Sequence, residues 1–335
     1  MAQAVPNQFK AFRIHDDEQG YRAMVETISV ADQNAGDVVI KAAWSGINFK
    51  DALAATGKGK ILRTFPMSGG IDVAGTVVES SSDRFKPGDP ILVTGSGLSE
   101  TRDGGFAEYL RLDSNWIIPL PTGLSAREAM TIGTAGFTAA LSLHRMELAG
   151  QSPDQGPVLV TGATGGVGSI AIDILASAGY EVHAVSGKPE QYDYLKGLGA
   201  SECISREEVM GSGKPLDSAR WAGCIDSVGG DMLASICTQV KPWGNIAACG
   251  LAGGIKLNTT VMPFIIRGVS LIGIDSPTCP YAIREIIWNK LAGDWKPRHL
   301  DAIATKEVGL DGIAGVLDGM LAGGSVGRTL VKLWD

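Results

Sequence analysis

The stretch VLVTGATGGVGS, Val158 to Ser169, constrains the fold of this chain more than any other. An apolar, β-branched run from Val158 to Thr161 stops at the small-residue turn Gly162-Ala163-Thr164-Gly165-Gly166-Val167-Gly168. Ile170, Ala171, Ile174, Leu175 and Ala178 then recur at three- and four-residue spacing, the period of an amphipathic helix. Strand, glycine turn and helix in direct succession aim the unpaired N–H groups of a helix start at the pyrophosphate of a dinucleotide. Aligned on G-x-G-x-x-G, Ala163 takes the first glycine position, Thr164, Gly165, Gly166 and Val167 follow, and Gly168 closes the pattern. The plainer alternative is a glycine-rich turn without a ligand, and the neighbouring segments bear on the choice.

Those segments alternate. Strand 158–161 precedes a helix over 167–178, strand 181–186 precedes a helix over 189–198, and a short strand covers 202–204. Strand 223–227 precedes a helix over 231–239, and strands 244–249 and 269–274 complete the series. Repeated β-α-β units predict a doubly wound parallel sheet with helices on both faces, a Rossmann-type α/β domain.

The first 120 residues have another texture. FKAFRIH, MVETISV, DVVIKAAWSGIN, IDVAGTVVES and DPILVTG show periods near two with turn residues between them, which predicts a small, irregular, barrel-like β domain. Ser125 with Glu128 three residues later is a capping-box signature that opens the helical runs AREAMTIG and GFTAALSLHRMEL. The final run RTLVKLW is a strand that suits the N-terminal domain. With 335 residues two cores are expected, residues 1–124 with 273–335 and residues 125–272.

Composition narrows the partners. A net charge of −7 argues against nucleic acid or an anionic membrane surface. No run approaches the roughly 20 apolar residues of a membrane span, and MAQAVPNQFKAFRIHDD has no signal-peptide core. Cys203, Cys224, Cys237, Cys249 and Cys279 are odd in number and widely spaced, neither a disulfide framework nor a C-x-x-C metal site. A cytoplasmic location is the expectation.

The end of the second Rossmann strand selects the cofactor. NAD-dependent domains carry an acid there, about 20 residues past the glycines, for the ribose 2′-hydroxyl. This chain has Ser186-Gly187-Lys188, and Arg206 just past the third strand. A hydroxyl and cations hold the 2′-phosphate that a carboxylate repels, so NADPH is expected; an ordinary exposed lysine is the alternative for Lys188. The turns Asp226-Ser227-Val228-Gly229-Gly230 and Cys249-Gly250-Leu251-Ala252-Gly253-Gly254 end later strands, where ligands of open sheets sit. Simple tight turns are the alternative there. Cys249, with no basic neighbour in sequence, reads as packing near the nicotinamide rather than as a nucleophile.

The order of β-rich domain, GGFAEY, IGTAGFTA, VTGATGGVG, DSVGG and GRTLVKL resembles the medium-chain dehydrogenase/reductase superfamily, over nearly the whole length. INFKDALAATGKGKILRTFPM (47–67), GIDVAGTV (70–77), YDYLKGLGAS (192–201), ACGLAGG (248–254) and TTVMPFIIRGVSLIGIDS (259–276) resemble its acryloyl-CoA reductase group of quinone-oxidoreductase-like proteins. The resemblance implies a GroES-like catalytic domain, and an NADPH-dependent reductase that adds hydride to an activated C=C. Acryloyl-CoA is the expected acceptor, with a quinone or enone as the alternative in the same class and a non-catalytic NADPH-binding protein as the alternative outside it.

It further implies that Asn48, Lys50 and Asp51 act on the acceptor, although a structural ion pair is the other reading of Lys50 and Asp51. Phe49, Thr134, Ile265, Ser276 and Arg328 are implied to approach the cofactor. Zinc-dependent members carry Cys where this chain has Asn48 and His in a G-H-E motif where it has Gly70-Ile71-Asp72, so no metal is expected. Two departures stand out. Relatives usually carry Tyr at Phe49, and two tryptophans in the loop where this chain has Ser96 and Asp103. Strand 269–274, an apolar sheet edge, is implied to join two copies as a homodimer.

Overall fold

The computed structural model describes residues 5–334. The chain divides into two compact units: Met1–Thr134 with Pro277–Trp288 and Leu300–Asp335, and Ala135–Ser276 with Asn289–His299. Sequence texture puts the borders at 124/125 and 272/273; the first unit instead runs on to Thr134, and residues 289–299 join the second.

The second unit is the Rossmann domain. Its six strands lie in the order Glu202–Ile204, Val182–Val185, Val158–Val160, Trp221–Asp226, Val240–Ala248, Ser270–Gly273. Every pairing is parallel, as the β-α-β reading requires. The inner strands are buried throughout as apolar runs, VLV at 158–160 and WAGCID at 221–226, because helices cover both faces. Leu159, Val185, Ile204, Trp221, Ile236 and Ile246 form the centre of one core. The helix expected over 189–198 is a 3₁₀ turn, Pro189–Gln191, followed by Tyr192–Gly197. Pro189 supplies no backbone N–H and so sits at the entry to a helical segment.

The first unit is β-rich. Its larger sheet runs Ala304–Val308, Arg328–Lys332, Val38–Ile47, Asp72–Ser80, Pro90–Thr94, Ile118–Pro119, with Tyr109–Leu112 also on Val38–Ile47. Phe9–Asp17 and Gly20–Ile28 form a hairpin that Met67–Ser68 extends. The closing strand returns as expected and pairs antiparallel with Val38–Ile47, Thr329 opposite Ile47. Alternate inward residues such as Ile40, Ala42, Val73, Val77, Ile91 and Val93 build its core.

The helical stretch Ala126–Leu148 is broken at Gly133, where φ is 51° and ψ −160°. The sequence already splits there into two runs. The bend needs glycine twice: the φ is left-handed, and a Cβ would lie 2.5 Å from Oδ2 of Asp72 and 2.6 Å from Nη2 of Arg328.

Candidate active site

In the Rossmann unit the glycine turn leads into the helix Gly166–Ser177, with Gly165 as its N-cap. Gly162 O accepts from Gly165 N–H at 2.9 Å, which folds the turn tightly. A Cβ on Gly168 would lie 2.4 Å from Gly162 O and 2.7 Å from Ala163 Cα, so this position permits no side chain. Thr164, Gly166, Val167 and Gly168 therefore stand together at the helix start, where first-turn amides have no partner within the helix. Those residues fit a dinucleotide pyrophosphate.

Ser186, Gly187 and Lys188 follow the neighbouring strand. Ser186 Oγ accepts from Lys188 N–H at 3.0 Å, which curls the loop. Arg206 starts the helix Arg206–Val209, capped by Ser205, whose Oγ accepts from Glu208 N–H at 3.3 Å. Its guanidinium reaches Gly187: a Cβ there would be 2.8 Å from Nε. Hydroxyl, lysine and arginine, separated in sequence, thus end two adjacent parallel strands side by side.

The two later glycine turns also meet. Gly229 bridges Gly254, Gly253 N–H donates to Val228 O at 2.7 Å, and Gly250 packs so closely that a Cβ would be 2.2 Å from Ser227 O. Asp226 organises this corner, accepting from Thr161 Oγ1 at 2.7 Å and Gly229 N–H at 2.8 Å. Cys249 lies against it, its Sγ 3.2 Å from Asp226 O. Burial first, and the Asp226 charge second, push the Cys249 thiol up to about 12, which keeps it protonated and unreactive at neutral pH. Leu251 and Ile265 are exposed, whereas Ser276 is buried and receives the Thr138 hydroxyl at 2.6 Å.

The β-rich unit gathers Asn48, Asp51, Asp72, Thr134 and Arg328. Asn48 caps the helix Phe49–Thr56 in a capping box with Asp51, whose Oδ2 accepts Asn48 N–H at 2.8 Å. Asp51 Oδ1 accepts from Ile71 N–H at 3.0 Å. Asp72 receives Asn48 Nδ2 at 2.7 Å, Thr134 Oγ1 at 2.6 Å, Thr134 N–H at 3.0 Å and Arg328 Nη2 at 3.3 Å. Arg328 spends its remaining donors on Asn48 Oδ1 at 2.8 Å, Ile47 O at 2.9 Å and Thr131 O at 3.1 Å.

Burial first, then the adjacent Asp72 charge, push Asp51 up to about 7, against the two backbone donors that favour its ionised form. Burial likewise draws Arg328 below the usual guanidinium value, with Asp72 and Asp51 opposing. Lys50 does not pair with Asp51; its partner is Glu100. Phe49, the helix's first residue, is 45% exposed. Asp103 is not an open loop residue: it is 4% exposed and holds Arg13 Nη1 at 2.8 Å.

Asp72, Gly133 and Glu100 are the members that sequence reasoning did not single out as site residues. Asp72 carried a signal, a lone acid inside the apolar run IDVAGTV. The donors here do not fit zinc. The Asn48 amide is committed at both ends, and Ile71, at the position of the His ligand, is apolar and buried. Among the described residues no three His, Cys, Asp or Glu side chains are grouped to hold a metal, and no helix is long and apolar enough to cross a membrane.

A parallel sheet with a glycine-turn helix start, joined in one chain to a GroES-like β unit, defines an oxidoreductase of the pyridine-nucleotide type. The comparisons agree with this class. Residues 34–122 match the family model described as alcohol dehydrogenase GroES-like domain, and residues 166–292 that described as zinc-binding dehydrogenase. The chain is 48% identical to the putative quinone oxidoreductase YhfP of Bacillus subtilis, over 97% of this chain and 99% of that protein. It is 44% identical to the acrylyl-CoA reductase AcuI of Ruegeria pomeroyi, over 97% and 99%.

The yhdH oxidoreductase of Salmonella enterica, solved in complex with NADP, superposes with a TM-score of 0.94 at 46% identity, covering 97% of this chain and all of that one (100%). Bacillus subtilis yhfP, solved with NAD bound, gives 0.95 at 47%, covering 98% and 100%. The chain belongs to the medium-chain dehydrogenase/reductase superfamily.

Proposed function

We propose that the protein is a zinc-independent, NADPH-dependent reductase of an activated C=C, with acryloyl-CoA as acceptor and propionyl-CoA as product. The observation that carries the cofactor is the grouping of Ser186, Lys188 and Arg206 at the ends of adjacent strands, with no acid among them. The likeness to an acrylyl-CoA reductase over nearly the whole chain supports the acceptor.

NADPH supplies the hydride when bound. The protein's part is binding and orientation. The Gly165–Gly168 turn holds the pyrophosphate, and Ser186, Lys188 and Arg206 hold the 2′-phosphate. Phe49 presents an apolar face to the acceptor. An enoyl thioester spreads the incoming charge onto its own carbonyl oxygen, so no Lewis acid is needed; hydride joins the β-carbon and a proton the α-carbon. Lys50 stands on the half-buried side of the Asn48–Asp51 segment, its ammonium held by the Glu100 carboxylate. Asn48 and Arg328, committed to Asp72 and to each other, act by fixing the backbone beneath that segment.

A quinone acceptor is the second reading, favoured by the likeness to YhfP. NADPH oxidation with acryloyl-CoA and with small quinones separates the two: turnover of the thioester at least tenfold more efficient is expected, and none at all removes the first reading. The protein is proposed to work as a homodimer. Ser270–Gly273 ends its sheet, with no strand beyond it among the described residues, and Trp243, Val261, Ile265 and Ile266 are exposed in the same unit. Ile272→Lys is expected to give monomers by light scattering; an unchanged mass removes the edge-to-edge arrangement.

A further inference from the structure

Lys50 Nζ lies 2.5 Å from Oε2 of Glu100, with the two side chains 26% and 31% exposed. The helix that carries Lys50, FKDALAAT, has no other cation. Nor does Glu100 reach it from a slack loop. Gly95 N–H donates to Ile71 O at 2.8 Å, the amides of Glu100, Thr101 and Arg102 all turn back onto Gly97 O, and Arg63 N–H holds the carbonyl of Glu100 itself at 2.8 Å.

At the far end Asp103 accepts from Ser68 N–H at 2.9 Å and Asn34 N–H at 2.8 Å besides Arg13. Arg102 lies 3.2 Å over the Trp116 ring. The backbone of Glu100 is thus anchored on both sides, which sets its carboxylate within reach of the Lys50 ammonium.

We propose that Glu100 is a specificity-determining residue, whose carboxylate cancels the charge of Lys50 and withholds that cation from anionic acceptors. This rests on the reading that the Asn48–Asp51 segment contacts the acceptor. A lone ammonium attracts an anion across about 8 Å of physiological salt. Paired at contact distance it offers only a dipole, and an arriving phosphate or sulfonate meets the Glu100 carboxylate as well. Acceptors are then ranked by their reactive end and shape rather than by a charged tail.

The test compares kcat/KM with NADPH for two matched pairs of acceptors, in the full-length protein and in E100Q, E100A and E100D. The pairs are acryloyl-CoA against acryloyl-N-acetylcysteamine, and 1,4-naphthoquinone-2-sulfonate against 1,4-naphthoquinone. Removal of the carboxylate is expected to raise the anionic-to-neutral ratio about fivefold in E100Q and E100A, in whichever pair is turned over, and added salt is expected to erase the rise. E100D, which keeps the charge, is expected to keep the parent ratio.

Calorimetric titration of the two naphthoquinones reads the same ratio as affinities, without any turnover. An unchanged ratio in both neutral variants, or a rise that salt leaves intact, overturns the proposal. A rise confined to the quinone pair, with neither thioester reduced, supports the role of Glu100 and removes the thioester reading instead.

Discussion

Thr134 meets Asp72 twice: its N–H lies 3.0 Å from both carboxylate oxygens and its hydroxyl 2.6 Å from Oδ1. Asp72 has no exposed surface, so each of these bonds replaces lost hydration. The break at Gly133 turns the Thr134 amide out of the helical ladder and toward the carboxylate. Thr134→Val keeps the amide and loses the hydroxyl, at a cost of about 1–3 kcal/mol for a hydrogen bond to a charged group. Asp72→Asn leaves the buried Arg328 without its counter-charge and is expected to cost about 3–5 kcal/mol. Urea unfolding checks the order; a Thr134 variant as damaging as the Asp72 variant contradicts a network centred on the carboxylate.

Asp51 makes stability depend on pH in a defined direction. Its folded value, about 7, is raised above the ordinary 3.8. Between those limits the folded state holds more proton than the unfolded state, so stability falls as pH rises. The contribution is complete below pH about 4 and lost above about 7, with a slope of at most about 1.4 kcal/mol per pH unit. Asp51→Asn keeps a side-chain oxygen for one of the two backbone donors and removes the titration. Unfolding curves from pH 4 to 8 are expected to show a smaller downward slope in the variant; parallel curves for both proteins place the titration elsewhere.

Much of this was legible in the sequence because it is periodic or local. The six parallel strands follow from apolar runs punctuated by glycine, and the return of RTLVKLW to the N-terminal unit follows from its strand period. The capping box of Ser125 and Glu128 also lies within three residues. What stayed hidden joins residues far apart. Lys50 and Asp51 suggest an ion pair as neighbours, yet consecutive helix residues point apart, and Lys50 finds Glu100 fifty residues later. Arg328 reads as a cofactor contact at a strand entry, yet 280 residues of chain return it to Asn48. Asp103 looks like a polar substitution in a loop and is a buried anchor for Arg13.

The proposed 2′-phosphate site yields a cofactor test. Ser186 and Lys188 share one curled loop and the Arg206 guanidinium reaches Gly187 between them, so a carboxylate at position 188 opposes an incoming phosphate. Lys188→Glu is expected to weaken NADPH about tenfold or more, the scale of a charge-assisted hydrogen bond, and NADH by less than about threefold. Arg206→Ala is expected to act in the same direction. Fluorescence titration with both nucleotides measures the two losses, and equal losses dispose of the phosphate assignment.

Phe49 offers the sharpest chemical test. It stands at the first position of its helix and is 45% exposed, so a para-hydroxyl adds no buried polar group and needs no repacking. In the parent chain this side chain has no proton to give. Phe49→Tyr places a phenol beside the proposed acceptor, and a positioned general acid accelerates such a step by about 10²-fold or more where protonation limits the rate. The expected result is a higher kcat for acryloyl-CoA, with unchanged NADPH affinity and an altered solvent isotope effect. If the rate and the isotope effect both stay as they are, the hydroxyl is dispensable, hydride addition alone limits turnover, and the departure at position 49 concerns acceptor shape rather than proton supply.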